Sequence, residues 1–382
     1  MSLLEQERAE PVPAPEPRFD LRRVGLAVAA PLLAGVVALV VSSVALGVSG
    51  SDPVAVYTRM LTEGTTLRSL LITVNNAVPL YLSGLAVALG FRMGLFNIGV
   101  EGQYQLAALL AAGAGAAVPL PAPLHVVLVV AVAMTVGAAW AGVAGALKVT
   151  RGVSEVISTI MLNVIAGGLA AYLLAVHLQE RIEGSNNSRT PPLPESARFP
   201  DLDPVLRAVG LEPPQGTRLG GFVLVAAVVG VLYWLVVARS RFGFDLRATG
   251  LNPSAAVASG VDAKRMTLAT MLLSGALAGL VGLPQLLGTS YAYGLDFTVG
   301  LGFTGIGVAL LGRGSPLGIA FAALLFAFLE RSSATLQRID VPTEIYVIMQ
   351  GSIVLSVVVA YEAVRRIGVA QAERAVRRAV GP

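Results

Sequence analysis

The side chains best suited to chemistry lie in a short polar stretch between two long apolar segments. Residues 91–113 read FRMGLFNIGVEGQYQLAALLAAG, with an Asn, a Glu and two Gln among closely spaced glycines. A carboxylate at mid-membrane depth costs about 2.5–3.5 kcal/mol on insertion scales, so such an acid indicates a function by default. Amides and a carboxylate offer hydrogen bonds to a polar solute, and the stretch is a candidate wall of a solute path.

Spacing relates three of these side chains to one another. Asn97, Glu101 and Tyr104 fall at i, i+4 and i+7, so a helix here would carry them on one face. The alternative is a turn at the membrane edge, where Glu101 is solvated near a helix N-terminus and favoured by the helix dipole. The residues alone leave both interpretations open.

Composition places this stretch in a membrane protein. The chain has 382 residues, of which 55% are hydrophobic and 13% charged, whereas soluble domains carry about 25% charged residues. Zero cysteines exclude disulfides and thiolate metal sites, and two histidines are too few for a histidine-based metal site. No cofactor, metal or nucleic acid is therefore expected, and the net charge of +4 gathers in loops, where it reports topology.

Ten apolar segments predict an all-α polytopic membrane protein. They lie at about 24–48, 69–90, 103–119, 124–147, 156–178, 221–238, 266–287, 301–312, 317–334 and 344–361. The first run is too long for a signal-peptide core and is expected to be an uncleaved span. The run at 301–312 is short, which indicates a broken or re-entrant span.

Basic residues orient these spans. If the N-terminus is cytoplasmic and successive spans alternate in direction, the arginines and lysines of the short loops lie in the cytoplasm, together with both termini. Residues 1–23 are expected to form a disordered cytoplasmic tail, and 362–382 a second cytoplasmic tail. The long outer loop at 179–220 is rich in proline, which suits either a docking surface for an extracytoplasmic partner or a flexible insertion.

Five spans on each side of that loop predict two inverted halves, 24–178 and 221–361. The counterpart of the first polar stretch is 293–314, YGLDFTVGLGFTGIGVALLGRG, which also has clustered glycines before a helix of small residues. Glycine-interrupted segments at matching positions of two halves indicate a binding site. Close packing of helices through small residues explains the same pattern, and both explanations can hold.

The longest predicted cytoplasmic loop, 239–265, reads RSRFGFDLRATGLNPSAAVASGVDAKR. Three glycines punctuate it, and Asn252 with Pro253 begins a predicted short helix that ends at Ala258. A short helix between glycines suits insertion into a groove on a partner protein. The alternative is an ordinary solvated loop between two spans.

Four ordered motifs resemble a known family: FNIGVEGQ at 96–103, EVISTIMLN at 155–163, LRATGLNPSAA at 246–256 and GFTGIGVALLGRGSPLG at 302–318. The chain is similar to the membrane permeases of bacterial ABC importers in the branched-chain amino acid/ribose superfamily. Within it, the chain most resembles the larger permease subunit of the simple-sugar and nucleoside systems. The similarity covers most of residues 60–361. Thr249 departs from the valine that relatives often have there, which leaves the interpretation of the loop intact.

The resemblance implies that the loop at 239–265 docks on a separate ATP-hydrolysing subunit. The residues that match the family's coupling pattern are Arg247, Gly250, Asn252, Ala255 and Gly260, and the predicted coupling set also includes Gly243 and Asp245. The chain contains no Walker-type phosphate loop, so it is not the motor by that chemistry and is not expected to be an enzyme.

The resemblance also implies that the first and last of the four motifs line the central route for solute. With candidates from other spans, the predicted path residues are Asn75, Asn76, Asn97, Glu101, Gln103, Tyr104, Asn163, Phe303 and Thr304. The neighbouring amides at 75 and 76 could hydrogen-bond the hydroxyls of a sugar or nucleoside without placing a charge in lipid. Glu155, Thr159 and Asn163 share one helical face, and an interhelical hydrogen bond is an equal alternative for Asn163.

The expected function is that of a permease subunit in an ATP-driven importer. Its expected protein partners are ABC ATPase subunits, a second permease in a heterodimer and an extracytoplasmic solute-binding lipoprotein. The chain itself is expected to lie in the plasma membrane of a bacterium, in contact with membrane lipid. Nucleosides, in particular purine nucleosides such as guanosine, are the first expectation for the solute, and simple sugars such as ribose or galactose the second. A secondary transporter coupled to ions through Glu101 is the alternative from another class.

Overall fold

Helices make up nearly all of the regular structure. A computed structural model describes residues 21–180, 188–334, 336 and 345–380. In chain order these contain α1 Leu21–Val48, α2 Pro53–Gly64, α3 Leu67–Phe91, α4 Val100–Ala117, α5 Ala122–Arg151, α6 Glu155–Leu173, α7 Asp203–Ala208, α8 Phe222–Arg239, α9 Arg241–Leu251, α10 Pro253–Ala258, α11 Ala263–Gly279, α12 Leu283–Gln285, α13 Leu301–Leu311, α14 Pro316–Ser333 and α15 Ile345–Val380. Single π-turns extend α6 through Leu178 and follow α12 through Ser290.

Six of the described helices are long and apolar enough to cross a membrane, and a seventh span results if α1 and α2, which meet at 113°, are counted together. The six are Leu67–Phe91, Ala122–Arg151, Glu155–Leu178, Phe222–Arg239, Ala263–Ser290 and Pro316–Ser333. α13 and the Ile345–Ala360 part of α15 are apolar but shorter. Each predicted apolar segment therefore contains a helix, and six or seven of these helices have the length and composition of a full span.

α3 and α11 form the centre of the bundle. In each, 61% of the most apolar part is buried, against 22% for α5 and α6. The outer helices expose large apolar side chains such as Val127, Ile157 and Leu232, as lipid-facing helices do. Lipid is as apolar as these side chains, so helix association depends on close packing. α5 and α11 meet in this way through small buried residues, among them Gly137 and Gly275.

α2 is an element that hydropathy did not indicate, since 49–68 is predicted as a loop. The Asp52 carboxylate accepts a hydrogen bond from the backbone of the first turn, and proline occupies the first helical position. Val56 and Met60 are buried on one side of the helix. The helix is amphipathic and packs along the bundle by one face. Its sequence therefore lacks the continuous apolar run that identifies a span.

Helices extend into both predicted tails. α1 begins at Leu21, and the predicted N-terminal tail otherwise falls on residues 1–20, outside the described part. α15 continues as helix through Val380, past the predicted end of the last span at 361. The backbone of the predicted C-terminal tail is therefore helical nearly to its end.

The described part of the long loop, 188–220, is held by hydrogen bonds. Thr190 N–H donates to the carbonyl of Tyr293 at 2.8 Å, and Leu193 N–H donates to the carbonyl of Tyr291 at 2.7 Å. An isolated bridge closes the later part of the loop on itself. Because its backbone groups are paired with the turn that follows α12, this part of the loop presents an ordered surface.

Candidate functional site

Glu101 lies in the first turn of α4, and its carboxylate meets the N-terminus of α13. Oε1 accepts a hydrogen bond from the backbone N–H of Gly300 at 2.7 Å, and Oε2 accepts one from Gly302 at 2.8 Å. The Tyr104 hydroxyl and the Gln105 amide donate to Oε1 at 3.0 and 2.6 Å. Among the described residues no cation pairs with this buried acid, so neutral donors and the positive ends of two helices stabilise its charge.

Close approach of the two glycine-interrupted stretches creates this arrangement. A Cβ on Gly302 would lie 2.3 Å from the backbone nitrogen of Glu101, so only glycine lets α13 begin against α4. The Tyr104 hydroxyl also lies 2.8 Å from the carbonyl oxygen of Thr298, just before α13, and shares its proton between the two acceptors. The structure thus brings together the two polar stretches that the repeat pattern paired.

Asn97 and Gln103 form a reciprocal amide pair. Each side chain donates to the other, at 2.9 and 2.8 Å, and Asn97 also donates to Ser274 Oγ of α11 at 2.8 Å. The Ser274 hydroxyl donates in turn to the carbonyl of Ala86 in α3 at 2.7 Å, so the pair ties the start of α4 to both central helices. The predicted common helical face is wrong for Asn97, because the glycine-rich turn before α4 is not helical and the helix begins only at Val100.

One face of α6 holds the same turn from the other side. Asn163 donates from Nδ2 to the carbonyl of Ile98 and accepts at Oδ1 from the N–H of Gly102, both at 2.9 Å. The Glu155 carboxylate accepts from the N–H of Phe96 at 3.4 Å. The predicted shared face of α6 is confirmed, and Asn163 makes the interhelical hydrogen bond that was the alternative to a pore-facing position.

These interactions define the polar cluster, which consists of Asn97, Glu101, Gln103, Tyr104 and Asn163. Its four residues on the α4 side are each at most 7% exposed, and each bonds to another side chain or to neighbouring backbone. Two other path candidates lie elsewhere, since Phe303 is 52% exposed on α13 and Thr304 is half-buried beside it. A position on the substrate path stays a prediction for all of them.

A cavity of about 660 Å³ lies between α3, α8, α12, α14 and the loop at 199–221. Its volume falls in the range of about 300–1,000 Å³ that is usual for small-molecule pockets. Asn75 and Asn76 are the path candidates that line it. Asn75 is already engaged, because its amide donates to the carbonyl of Arg218 at 2.7 Å and accepts from the N–H of Gly220 at 2.9 Å.

Two further lining residues, Thr217 and Glu330, were not predicted. The one available signal for Glu330 was an acid inside the apolar run at 317–334. Thr217 carries no such signal, because a threonine in a loop is ordinary and only the fold places this one against the spans. Among the described residues none forms a hydrogen bond with the side chain of Asn76 or Glu330.

The predicted cytoplasmic loop forms two helices. The Asn252 side chain accepts a hydrogen bond from the N–H of Ala255 at 3.0 Å and caps α10, so the predicted start of this helix is confirmed. α9 is an additional helix, capped by Ser240, which the glycines within it concealed in the sequence. The predicted coupling residues are divided between them: α9 carries Gly243, Asp245, Arg247 and Gly250, α10 begins with Asn252 and contains Ala255, and Gly260 follows it.

α9 is anchored to the bundle, and the junction with α10 faces outward. The Arg247 guanidinium donates to the carbonyl of Val237 near the end of α8. A Cβ on Gly250 would lie 2.5 Å from the carbonyl oxygen of Arg92, so α9 packs directly on the turn after α3. Leu251, where the two helices join, is 88% exposed. An apolar side chain presented from a rigid support suits a groove on a partner protein.

Known proteins are similar in sequence to most of this chain. A family model described as branched-chain amino acid transport system / permease component matches residues 69–358. The chain is 34% identical over 350 residues to the glucose ABC transporter permease protein TsgB13 of Haloferax volcanii, covering 89% of this chain and 90% of that protein. It is 34% identical over 293 residues to the guanosine ABC transporter permease protein NupP of Bacillus subtilis (76% and 80%). It is 30% identical over 340 residues to the nucleoside ABC transporter permease protein NupB of Lactococcus lactis (87% and 90%). No solved structure matches the chain.

Proposed function

Because this chain belongs to the family of branched-chain amino acid transport system permease components, we propose that it imports nucleosides, in particular purine nucleosides such as guanosine. The chain is a permease subunit of an ABC transporter, a multi-pass protein of the bacterial plasma membrane without catalytic activity of its own. The observation that carries the proposed solute is the similarity, over 76% and 87% of the chain, to permeases named for guanosine and nucleoside transport.

Simple sugars such as ribose or galactose are the second candidate. The permease named for glucose transport is as similar, at 34% identity, and covers 89% of this chain. Sugars and nucleosides both present adjacent hydroxyls, which amides and a carboxylate can bind. Ion coupling through Glu101 has less support, because this carboxylate is already held by four donors in the polar cluster.

The proposed topology has ten spans in two inverted halves, 24–178 and 221–361, with both termini in the cytoplasm. The packing supports it, because α5 packs on α11 as α14 packs on α3, and these are the fourth and second spans of opposite halves. The two glycine-interrupted turns also meet at Glu101, near the start of equivalent helices. In this orientation the cavity opens on the extracytoplasmic side of the membrane, and α9 and α10 lie in the cytoplasm.

The proposed solute route runs along α3 and α13. Asn75 and Asn76 stand on the cavity side of α3, whereas Phe303 and Thr304 stand on an uncovered side of α13 that a second permease can meet. The polar cluster fixes the adjoining ends of α4 and α13. A solute that binds one arrangement of these helices better than another would shift the balance between outward-open and inward-open states.

Three kinds of partner complete the proposed importer. ABC transport requires an ATPase, for which the α9–α10 pair is the proposed docking surface. A second permease would form a heterodimer with this chain. An extracytoplasmic solute-binding lipoprotein would dock on the ordered surface of 188–220.

Uptake of labelled guanosine, adenosine and ribose tests the proposed solute. In a strain that lacks this chain, its return is expected to restore guanosine and adenosine uptake and to leave ribose uptake at background. Restored ribose uptake alone would transfer the assignment to sugars. Failure to restore ATP-dependent uptake of any of these solutes would contradict the proposed function.

Coupling through α9 and α10 has its own test. Replacing Arg247 and Asn252 together by alanine is expected to abolish uptake and lower solute-stimulated ATP hydrolysis, because α9 loses its tie to α8 and α10 loses its cap. The lost cap alone costs the helix about 1 kcal/mol. Asn252→Asp keeps a capping oxygen and is the control, expected to retain most uptake. Unchanged uptake in the double variant would remove this pair of helices from the coupling route.

A further inference from the structure

The cavity holds polar side chains that the fold does not use. Thr217 is 7% exposed, and its hydroxyl has no hydrogen-bond partner in the described part of the chain. The Asn76 amide and the Glu330 carboxylate, both half-buried, likewise lack partners among the described residues. Most buried polar groups in native structures are satisfied, so several unused ones around a single cavity indicate a ligand that supplies their hydrogen bonds.

Several other polar groups of the wall are already occupied. Gln285 accepts at Oε1 from the N–H of Thr298 at 3.1 Å. Asp201 and Arg218 pair with each other at 3.3 Å, and their charges cancel. These two and Glu330 are the ionisable side chains of the described wall, so one negative charge is unbalanced when Glu330 is ionised.

Apolar surface completes the site. Phe199 and Phe222 lie with ring centroids 4.6 Å apart, and Pro79 and Pro284 also line the cavity. A predominantly apolar wall with a few unpaired polar groups is the usual composition of a small-molecule site. The apolar part can cover the face of a sugar or base while the polar part orients it.

We propose that Asn76, Thr217 and Glu330 form a binding subsite for a neutral solute that presents adjacent O–H or N–H donors. The Glu330 carboxylate accepts these donors, and the Asn76 amide and Thr217 hydroxyl bond to the neighbouring groups of the solute. The unbalanced charge of Glu330 repels anions, so phosphorylated forms of the same solute are excluded. This assignment rests on the proposed function for its choice of solute, but the charge of the site can be measured without transport.

The charge of the site is measured by thiol labelling. The chain has no cysteine, so Thr289→Cys introduces a single thiol at an exposed position of the cavity wall. In the reconstituted transporter, a cationic methanethiosulfonate reagent is expected to modify this thiol faster than an anionic one of similar size. Adding Glu330→Gln should lower the ratio of the two rates about threefold or more, and the rate of a neutral reagent should not change. An unchanged ratio would overturn the subsite.

Uptake by the same reconstituted transporter tests binding. Glu330→Gln is expected to raise KM about tenfold for guanosine or for ribose, whichever the wild type imports, because a charged acceptor is lost. It should also weaken discrimination against the corresponding 5′-phosphate as a competitor. Glu63→Gln, a change of charge on α2 outside the cavity wall, is the matched control and should change neither.

The two proposals fail in different ways. A wild-type transporter that imports neither solute contradicts the proposed function, while the labelling ratio still reports on Glu330. A wild-type transporter that imports one of them, with the KM and the phosphate discrimination unchanged in Glu330→Gln, contradicts the subsite alone. Gln has nearly the same shape as Glu, so each variant is expected to fold. The yield of assembled transporter checks this.

Discussion

Glu101 and Glu330 are both recessed acids without a cation partner among the described residues, yet their surroundings are opposite. Glu101 lies at the N-termini of α4 and α13 and accepts hydrogen bonds from four donors. Glu330 lies in the last turn of α14, where the helix dipole disfavours negative charge, and the described residues donate nothing to its carboxylate. The fold therefore stabilises the first charge and leaves the second one available.

The difference shows how a polar side chain within membrane spans can be interpreted. Both acids cost energy to place among apolar helices, and that cost alone indicates a function for both. The hydrogen bonds separate the two cases, because Glu101 holds two helix ends together whereas Glu330 faces an open cavity. Stability should therefore depend on the first acid and solute binding on the second.

The largest effect on stability is expected from Glu101→Ala. The variant leaves the N–H groups of Gly300 and Gly302 without acceptors at a buried helix crossing, and each unsatisfied group costs about 1–3 kcal/mol. The apparent melting temperature of the purified protein in detergent should fall sharply. Glu63→Ala, on α2, is the control and should leave it near the wild-type value. A melting temperature equal to wild type in Glu101→Ala would show that the cluster does not hold the helix ends.

An intermediate effect is expected from Asn163→Ala. The variant loses both hydrogen bonds from α6 to the turn before α4, and hydrogen bonds between membrane helices contribute about 0.6–1.7 kcal/mol each. The same melting measurement should show a smaller loss than for Glu101→Ala. Thr150→Ala removes only a bond within α5 and serves as the control. A loss equal to that of Glu101→Ala would show that the contacts of the cluster with α6 stabilise the protein as much as its contacts with α13.

The smallest effect on stability is expected from Glu330→Gln. Removing an unbalanced charge from a partly buried position costs the fold nothing, and the melting temperature should stay unchanged or rise slightly. Its effect should appear only in the ratio of the cationic to the anionic labelling rate and in the KM for uptake. Destabilisation as large as that of Glu101→Ala would mean that the fold uses this acid, and the contrast between the two would end.

Hydropathy and local spacing were sufficient for the positions of most elements. Each apolar run contains a helix, because about twenty apolar residues in lipid must satisfy their backbone within the segment. The start of α10 was also predictable, since Asn252 caps the helix through a neighbour only three residues away. α2 and α9 were missed because an amphipathic or glycine-containing helix outside the spans leaves no apolar run.

The candidate site was only partly predictable. The polar stretch around Glu101 was visible as an exception within an apolar chain, and the face of α6 that bears Asn163 followed from helical spacing. The donors at Gly300 and Gly302 are about two hundred residues away, and the repeat pattern indicated their region without the contact. The sequence left open whether Asn97 lies on a helix or in a turn, and the structure places it in the turn before α4, because the glycine-rich turn at 92–99 outweighs the helical spacing.

The sequence alone determined that this chain is a helical membrane protein with a short helix beginning at Asn252, because span length and helix capping are local properties of a polypeptide in lipid, and its four ordered motifs indicated the permease family. The roles of its two acids depend on the tertiary structure. A carboxylate is stabilised or left free according to which helix ends and loops converge on it, and that convergence is set by the packing of small residues between segments far apart in the chain.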